Sequence, residues 1–529
     1  MCKTAPTWRE KKQDDATNNK DETILNANPV KNQRLSSLFR FDQAPNVPST
    51  RPDNDILKHP LVSPKTHFGF EIPFCPLSKG GRHMTPQQLE PYRQIGDPPL
   101  DELMDYMASR GFPLKPQDDL LQVRYPPYIQ THIDEFVRYY SRVPDWVDPA
   151  QLERGQSVFL RYTGAITVSL YHRSLVAGFS IPKIARVVCS TAYLAPPSSA
   201  EQVGHRLQDT GALVASCMGF GSAPLLPGGE AWRTALYVRI LHAKVRRTLL
   251  QQKKWDVDQY GIPINQEDMA ATLLAFSINA LDGVEFVGGM AVPKQDQEDY
   301  LALWRYIGWI LGVYTSHDDD KALPCTTTTP LPPSLDPCGP GWYEKYPSPL
   351  LHSRHLLQSM LLHLLHPDES SVSVSHHILG AGTAKQQETK HGNNHDDNGS
   401  SPNKISRTLR FYLRAYHCRC MIGDSLADAL ELPFAPDRWM RWRVYWRSRL
   451  FWWALRLYTW AGRVPVIRKR IFDWQLGILQ KFYESWKENH PTRMAEGIRN
   501  AHRNDPEGRE SEKGLSRACP FAMISNPQL

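Results

Sequence analysis

Four successive segments of the chain, residues 201–219, 231–254, 266–287 and 296–314, place apolar residues three and four positions apart. This spacing is the period of an α-helix, whereas a half-buried strand would alternate apolar and polar residues. Glycine and proline in the links PLLPGGE and YGIPINQED separate the first three segments. The sequence therefore predicts an all-α fold built around at least four consecutive helices.

The residues before position 201 extend this helical pattern. Two further helices are expected between roughly 99 and 140, where LDELMDYMASRGF and YIQTHIDEFVRYYSRV keep the same spacing. Residues 157–179, SVFLRYTGAITVSLYHRSLVAGF, are almost uncharged and long enough for a helix buried on most sides. Their β-branched residues leave a strand open as the alternative. Downstream, Asn265 is expected to cap the third of the four helices, with Glu267 and Asp268 near its positive end.

Composition divides the chain into parts. We expect a single large helical domain over residues 56–365 that is completed by helices in residues 407–485, followed by a polar tail over 486–529. Residues 1–50 and 366–406 are polar and have few aromatic side chains. Such segments do not bury enough apolar surface to offset the entropy lost on ordering. Both are expected to be disordered, the second as a surface insertion.

The histidines of that insertion, among them His376, His377, His391 and His395, raise the question of a metal site. They show no fixed ligand spacing, which favours solvated side chains over metal ligands.

Charge and cysteine usage exclude several classes of protein. The net charge of +7 comes from 62 basic and 55 acidic residues, well short of a nucleic-acid-binding balance. The nine cysteines are scattered, which indicates a reducing compartment rather than a disulfide framework. The polar N-terminus MCKTAPTWREKKQDDATNNKDE lacks the apolar core of a secretory signal, so an intracellular location is expected. No transmembrane helix is predicted, since the uncharged stretch 210–229 is interrupted by glycines and prolines.

Residues 434–482 alternate arginine with tryptophan, tyrosine and leucine, as in DRWMRWRVYWRSRLFWWALRLYTW. One interpretation is a helical pair that packs its aromatic residues on the core while the arginines reach outward. The other is an amphipathic surface at a membrane interface, because tryptophan and arginine serve both purposes. The segment 434–483 is thus a candidate for peripheral membrane contact.

His242 is the first candidate for chemistry. It lies one or two helical turns from Ala235, Val238, Val245 and Leu249, and so interrupts an apolar stripe. Binding of a metal or haem iron through one ring nitrogen is one way to satisfy such an imidazole. From this helix alone, a hydrogen-bonded core histidine is the commoner explanation.

Two groups of polar residues accompany His242. Arg239 and Arg246 flank it on the helix and match anionic groups such as haem propionates, or else form a solvated basic edge. In RLQDTG, the spacing of Arg206, Asp209 and Thr210 lets all three face one direction. In a pocket Arg206 would stabilise negative charge and Thr210 would bond to oxygen; the alternative is a helix-end ion pair or cap.

The runs RLQDTG, AWRTALYVRILHAKVR, YGIPINQEDMAATLLAF and LWRYIGWILGV follow one another in an order and spacing that resemble a known catalytic domain. That domain is shared by the latex-clearing rubber oxygenases and the fungal, endoplasmic-reticulum-bound MpaB-type oxygenases. The earlier runs VPDWVD and LERGQSVF resemble the same family, so the similarity extends over about residues 144–313.

The resemblance implies a globin-like core that holds one b-type haem, with His242 as the proximal ligand of the iron. It also implies that Arg206 and Thr210 line the distal side. Asp209 stands where the rubber-cleaving enzymes carry a lysine that can approach the iron. Those enzymes are thought to use a carboxylate base on a preceding helix, yet no Asp or Glu lies between Glu153 and Glu201.

The leading hypothesis is therefore a haem b oxygenase that uses dioxygen to cleave a carbon–carbon double bond in a small apolar, isoprenoid substrate. A haem-binding protein without turnover is the second hypothesis, because of Asp209 and the missing base. The third is a helical scaffold at a membrane surface, carried by the arginine- and tryptophan-rich segment.

Overall fold

The computed structural model describes residues 83–489, with gaps at 115–119, 122, 192–193, 196–197, 220, 252–254, 315–333, 340–348 and 382–401. Within these ranges the regular secondary structure is helical and no residue belongs to a β-strand, so the predicted all-α fold class is confirmed. The globin-like form of the core stays a prediction. Residues 1–50 and the tail beyond 489 lie outside the described residues.

Among the described residues, eighteen α-helices follow one another along the chain. In order they are α1 Pro86–Arg93, α2 Pro98–Ser109, α3 Pro127–Tyr140, α4 Pro149–Ser169, α5 Val176–Phe179, α6 Pro182–Ser190, α7 Ala200–Met218, α8 Glu230–Gln251, α9 Val257–Tyr260, α10 Gln266–Phe276, α11 Ile278–Gly288, α12 Lys294–Ile310, α13 Pro349–Leu364, α14 Glu369–Ala381, α15 Pro402–Ile422, α16 Asp424–Ala429, α17 Arg438–Ala461 and α18 Pro465–Asn489. A π-helical segment, Leu170–Leu175, joins α4 to α5, and a short 3₁₀ turn, Ala223–Leu225, precedes α8.

Helix α4 occupies the centre of the fold. It packs against α11, α12, α17 and α18, and most of its residues from Val158 onward are buried. The helical interpretation of residues 157–179 is confirmed and the strand alternative is wrong. The uncharged sequence is explained by this central position, because every face of the helix meets another helix.

Gly155 allows the close approach of α4 and α12. A Cβ atom at this position would lie 2.5 Å from the carbonyl oxygen of Asp299 and 2.8 Å from Cβ of Leu303. Neither neighbour is the flexible end of a side chain, so the helices themselves would have to separate.

We expect Gly155→Ala to lower the free energy of unfolding by about 1–3 kcal/mol, because the added methyl group overpacks this contact. Gly178→Ala is the matched control, since a Cβ atom there would meet nothing within 4 Å. It is expected to be neutral or slightly stabilising, as alanine favours a helix over glycine. Urea denaturation of both variants measures the difference, and equal stabilities would contradict the assignment.

The predicted helix over residues 266–287 is in fact two helices, α10 and α11, joined by a bend at Ser277. The backbone of Ser277 has φ −99° and ψ −96°, and its hydroxyl donates to the carbonyl of Leu273 at 2.8 Å. Serine side chains that bond to the preceding turn in this way often bend helices. The predicted cap is confirmed, because the side chain of Asn265 accepts a hydrogen bond from the backbone N–H of Asp268 at 2.9 Å.

Among the described residues, the stretch Gln266–Gly288 is long and apolar enough to cross a membrane. Of the most apolar part of this stretch, 67% is buried inside the protein. This stretch is the α10–α11 pair, and its apolar character matches its position in the core.

The disordered insertion predicted over residues 366–406 is too wide. Residues 369–381 form helix α14, in which Val374 and Ile378 are buried in an apolar cluster with Phe179. These two residues lie four positions apart on one side of the helix, and they form an apolar stripe although the overall composition of the segment is polar. At the other end, α15 already begins at Pro402, and residues 382–401 are outside the described residues.

Two of the histidines assigned to that insertion bond to backbone carbonyls. Nε2 of His376 lies 3.1 Å from the carbonyl oxygen of Leu430, and Nε2 of His377 lies 2.9 Å from that of Ser198. His391 and His395 lie outside the described residues. The described pair therefore ties α14 to its neighbours.

The predicted boundary at residue 485 is also wrong. Helix α18 continues to Asn489 and packs against α4 and α7. Trp486, assigned from composition to the polar tail, is only 1% exposed. A single aromatic residue in a polar run is enough to anchor the last turn of a helix.

Candidate functional site

Helix α8 carries His242 and packs against α2, α7 and α12. The imidazole is partly exposed, but its Nδ1 atom is buried and has no hydrogen-bond partner. A buried polar atom without a partner is costly, and such atoms are few in native proteins. The histidine is therefore not the hydrogen-bonded core residue that its helix alone favoured.

The pKa of His242 is lowered to about 4, first by burial and then by the positive charge of Arg246, while Asp97 acts in the opposite direction. The ring is consequently neutral at pH 7. Neutral imidazole is the form that ligates iron and other metals, because a lone pair is free for the bond. Position and protonation state both fit an axial ligand.

Arg239 lies one turn before His242 and is only 1% exposed. Its Nε and Nη2 atoms donate to the two carboxylate oxygens of Asp97 at 2.6 and 2.7 Å, and its guanidinium carbon lies 3.8 Å from the ring centroid of Tyr140. Burial lowers the pKa of Arg239, but the Asp97 carboxylate outweighs it and raises that pKa above the usual range. To hold a haem propionate, this guanidinium would have to give up a buried carboxylate.

Arg246 lies one turn after His242 and is likewise buried. Its Nε atom donates to Asp101 at 3.0 Å and its Nη1 atom to the carbonyl of Ile264 at 3.3 Å. Its Nη2 atom is buried and has no hydrogen-bond partner. Arg246 thus keeps one donor available for an anionic group, and this donor and Nδ1 of His242 lie on neighbouring turns of one helix.

Arg206, Asp209 and Thr210 lie on α7, which packs against α8. Arg206 and Thr210 are exposed and share one side of the helix. The hydroxyl of Thr210 donates to the Arg206 carbonyl at 3.4 Å, a long bond that leaves the oxygen lone pairs free to accept. Both side chains therefore lie on the exposed side of α7.

Asp209 differs from the other two because it is buried. One carboxylate oxygen accepts a hydrogen bond from Nε1 of Trp486 at 3.0 Å, and the other lies 4.0 Å from the Arg206 guanidinium. The prediction that all three residues face one direction holds for Arg206 and Thr210, whereas the Asp209 carboxylate reaches inward to α18. Asp209 therefore anchors the last helix.

The described residues contain no group of three or more His, Cys, Asp or Glu side chains that could together hold a metal ion. Iron held by a porphyrin needs fewer protein ligands than a bare metal ion. The macrocycle supplies four ligands, and a single histidine suffices on the proximal side. A single histidine such as His242 is therefore enough for haem iron.

Comparison with known proteins identifies the family to which the chain belongs. Residues 155–457, more than half of its length, match the family model for the "ER-bound oxygenase mpaB/B'/Rubber oxygenase, catalytic domain". The matched model describes the catalytic domain of an oxygenase, and a helical domain with a neutral histidine on α8 is compatible with it. The chain belongs to the mpaB/rubber oxygenase family, and the resemblance seen in the sequence is confirmed.

Two individual relatives were found. The "Rubber oxygenase" of Streptomyces sp. (strain K30) is 29% identical over 198 residues, which are 36% of this chain and 44% of that protein. The structure described as "Structure of Latex Clearing Protein LCP in the closed state" is 18% identical with a TM-score of 0.47, and the alignment covers 80% of this chain and 96% of that one. The match thus spans less than half the length of the curated relative.

Proposed function

We propose that this protein is a haem-dependent oxygenase that cleaves a carbon–carbon double bond in an apolar, isoprenoid substrate. The observation that carries the proposal is the buried, unpartnered Nδ1 atom of a neutral His242 within the family's catalytic domain. The name of the Streptomyces relative, a rubber oxygenase, supports the substrate class.

The residues of α8 fit a haem in unequal degree. His242 would hold the iron, and the free Nη2 donor of Arg246 would bind a propionate. Arg239 fits less well, because its Nε and Nη2 atoms donate to Asp97 and its Nη1 atom donates to the carbonyl of Ile310. When bound, haem supplies the dioxygen chemistry that no side chain provides.

The protein's own contribution on α7 is electrostatic. The exposed guanidinium of Arg206 is a fixed positive charge for developing negative charge, and the hydroxyl of Thr210 is a hydrogen-bonding group four residues away. Oxidative cleavage of this type adds both atoms of dioxygen to the double bond and leaves two carbonyl groups, so the overall reaction neither takes up nor releases a proton.

The direct test is the visible absorption spectrum of the full chain after expression with a haem precursor. We expect a Soret band that corresponds to one haem per chain and, with an isoprenoid oligomer and oxygen, products that carry aldehyde and ketone ends. A protein that stays colourless after haem reconstitution would refute the proposal.

A second candidate function is haem binding without turnover. It is favoured by Asp209, which anchors Trp486 where the rubber-cleaving enzymes carry a lysine. Stoichiometric haem together with an absence of cleavage products across isoprenoid chain lengths would identify this function.

Arg206→Ala is expected to retain haem and to lower kcat by about 10²-fold, the usual cost of one donor that stabilises developing charge. Haem content and product formation are measured on the same preparation. Arg138→Ala, which removes another exposed arginine on α3, is the control and should leave turnover unchanged. Full activity in Arg206→Ala would exclude the distal role.

A further inference from the structure

Helix α17 presents a continuous apolar stripe to the solvent. Its members are between 41% and 66% exposed: Trp439, Trp442, Trp446, Leu450, Trp453, Leu457 and Trp460. They recur three and four residues apart over the whole helix, and at about 100° per residue they fall on one side. Isolated exposed apolar residues are ordinary, but a contiguous row of this length marks an interaction surface.

The opposite side of α17 is the one that packs on the protein. Met440, Val444, Ser448, Trp452 and Thr459 are buried, and the helix contacts α4, α11 and α15 through this face. The packing interpretation of the sequence is therefore correct for half of the helix. The exposed stripe lies about 180° away, so it is a second apolar face rather than the edge of the core.

Positive charge borders the stripe on both sides. Helix α17 contains six arginines and neither lysine nor an acidic residue. Arg438 and Arg449 project on one side of the stripe, and Arg443 and Arg447 on the other. The guanidinium carbon of Arg443 lies 4.3 Å from the ring centroid of Trp439, which shows that an arginine reaches along the stripe.

Exposed apolar residues follow in the chain around the start of α18. Val464, Val466, Ile467 and Trp474 are between 44% and 78% exposed. The basic run Arg468–Lys469–Arg470 lies among them. Together with the stripe of α17, these residues are the apolar strip of this part of the chain, and basic residues lie beside it in the sequence.

We propose that this strip, residues 439–474, docks the protein onto an anionic lipid bilayer, with α17 lying in the plane of the interface. Tryptophan partitions to the boundary between headgroups and acyl chains, and flanking arginines pair with lipid phosphates while their stems stay in apolar surroundings. Each basic residue near an anionic surface adds to the electrostatic attraction. The inference stands apart from the proposed oxygenase function, because it uses none of the residues of that site.

Charge also argues against a second copy of the chain as the occupant. A symmetric pair would bring two copies of the same strip together, each with six arginines on α17 and no acidic residue there to meet them. Like charges across an interface are costly, whereas anionic headgroups complement them.

The test is flotation of the full chain with phosphatidylcholine vesicles, with and without phosphatidylserine. We expect the protein to float, and to float more strongly with phosphatidylserine. The combined variant Trp442→Gln, Trp446→Gln and Trp453→Gln removes three side chains that are each more than 50% exposed, and should lower the bound fraction at limiting lipid by about tenfold or more. Circular dichroism confirms that the variant is folded.

A matched variant, Val123→Gln with Tyr128→Gln and Leu250→Gln, removes three apolar side chains exposed elsewhere and should float like the natural protein. The proposal is overturned if the natural protein stays with the soluble fraction, or if both variants float equally. It is also overturned if sedimentation shows a dimer that the tryptophan variant dissociates while vesicles bind neither protein, because the occupant is then a second copy.

Discussion

Replacing His242 with alanine is expected to abolish stoichiometric haem binding and to leave the helical fold intact. The imidazole offers a neutral ring nitrogen and makes no hydrogen bond that the core would miss. Loss of the axial ligand removes the bond between iron and protein, while α8 keeps its ion pairs to α2. The ratio of Soret to protein absorbance measures the first effect, and far-ultraviolet circular dichroism measures the second.

Two controls make this result specific. His205→Ala on α7 removes another partly exposed histidine from the helix next to α8 and should retain haem. Free imidazole added to His242→Ala should restore part of the Soret band, because it fits the space that the side chain left. Normal haem content in His242→Ala without imidazole would remove the assignment.

The local features of the fold could be predicted from the sequence. Apolar spacing located the helices between residues 200 and 310 to within a few residues, and the cap joins Asn265 to Asp268, only three positions later. The bend at Ser277 escaped the same reasoning. The bend depends on the hydrogen bond from the Ser277 hydroxyl to the carbonyl of Leu273, which replaces a bond to solvent. The spacing of apolar residues carries no information about that bond.

The partners of charged residues could not be predicted. Glu267 and Asp268 were expected near the positive end of a helix, and the structure adds a buried ion-pair group with Lys183 of α6, whose Nζ lies 2.9 Å from Asp268. The arginines beside His242 were recognised, but Asp97 and Asp101 lie about 145 residues earlier in the chain. No pattern in a single sequence joins positions so far apart.

The site residues show the same difference between short-range signals, which the sequence contains, and contacts between distant positions, which it does not reveal. His242 was identified from its helix and from the family motif, both of which are short-range signals. The inward turn of Asp209 depends on Trp486, which lies 277 residues later in a run that its composition assigned to a tail. A tryptophan within a polar segment is a sequence signal for burial, since large aromatic residues are rarely left unpacked.

Asp97→Ala is expected to lower the free energy of unfolding by about 3–5 kcal/mol, because it leaves the Arg239 guanidinium buried without its counter-charge. Asp97 is 2% exposed and Arg239 is 1% exposed, and water does not reach the pair. Gly312, at φ +87°, packs closely against the pair, since a Cβ atom at this position would be 2.7 Å from Nε of Arg239. Thermal and urea unfolding of the variant, without haem, measure the loss.

Asp105→Ala is the matched control, because it removes a carboxylate from the same helix α2 that also pairs with an arginine of α8, Arg247. Asp105 is 73% exposed, and surface pairs of this kind contribute about 0–1 kcal/mol. A cost for Asp97→Ala no larger than that of Asp105→Ala would show that Arg239 is not held by its carboxylate.

The double variant Asp97→Ala with Arg239→Met separates charge from packing. If the penalty of the single variant is mainly that of an uncompensated buried cation, removing the arginine as well should recover much of the lost stability. Helix α8 carries both Arg239 and His242, so the same variant also tests the site. If the pair positions α8, haem affinity should fall in Asp97→Ala under conditions where the protein is still folded, and should recover in the double variant.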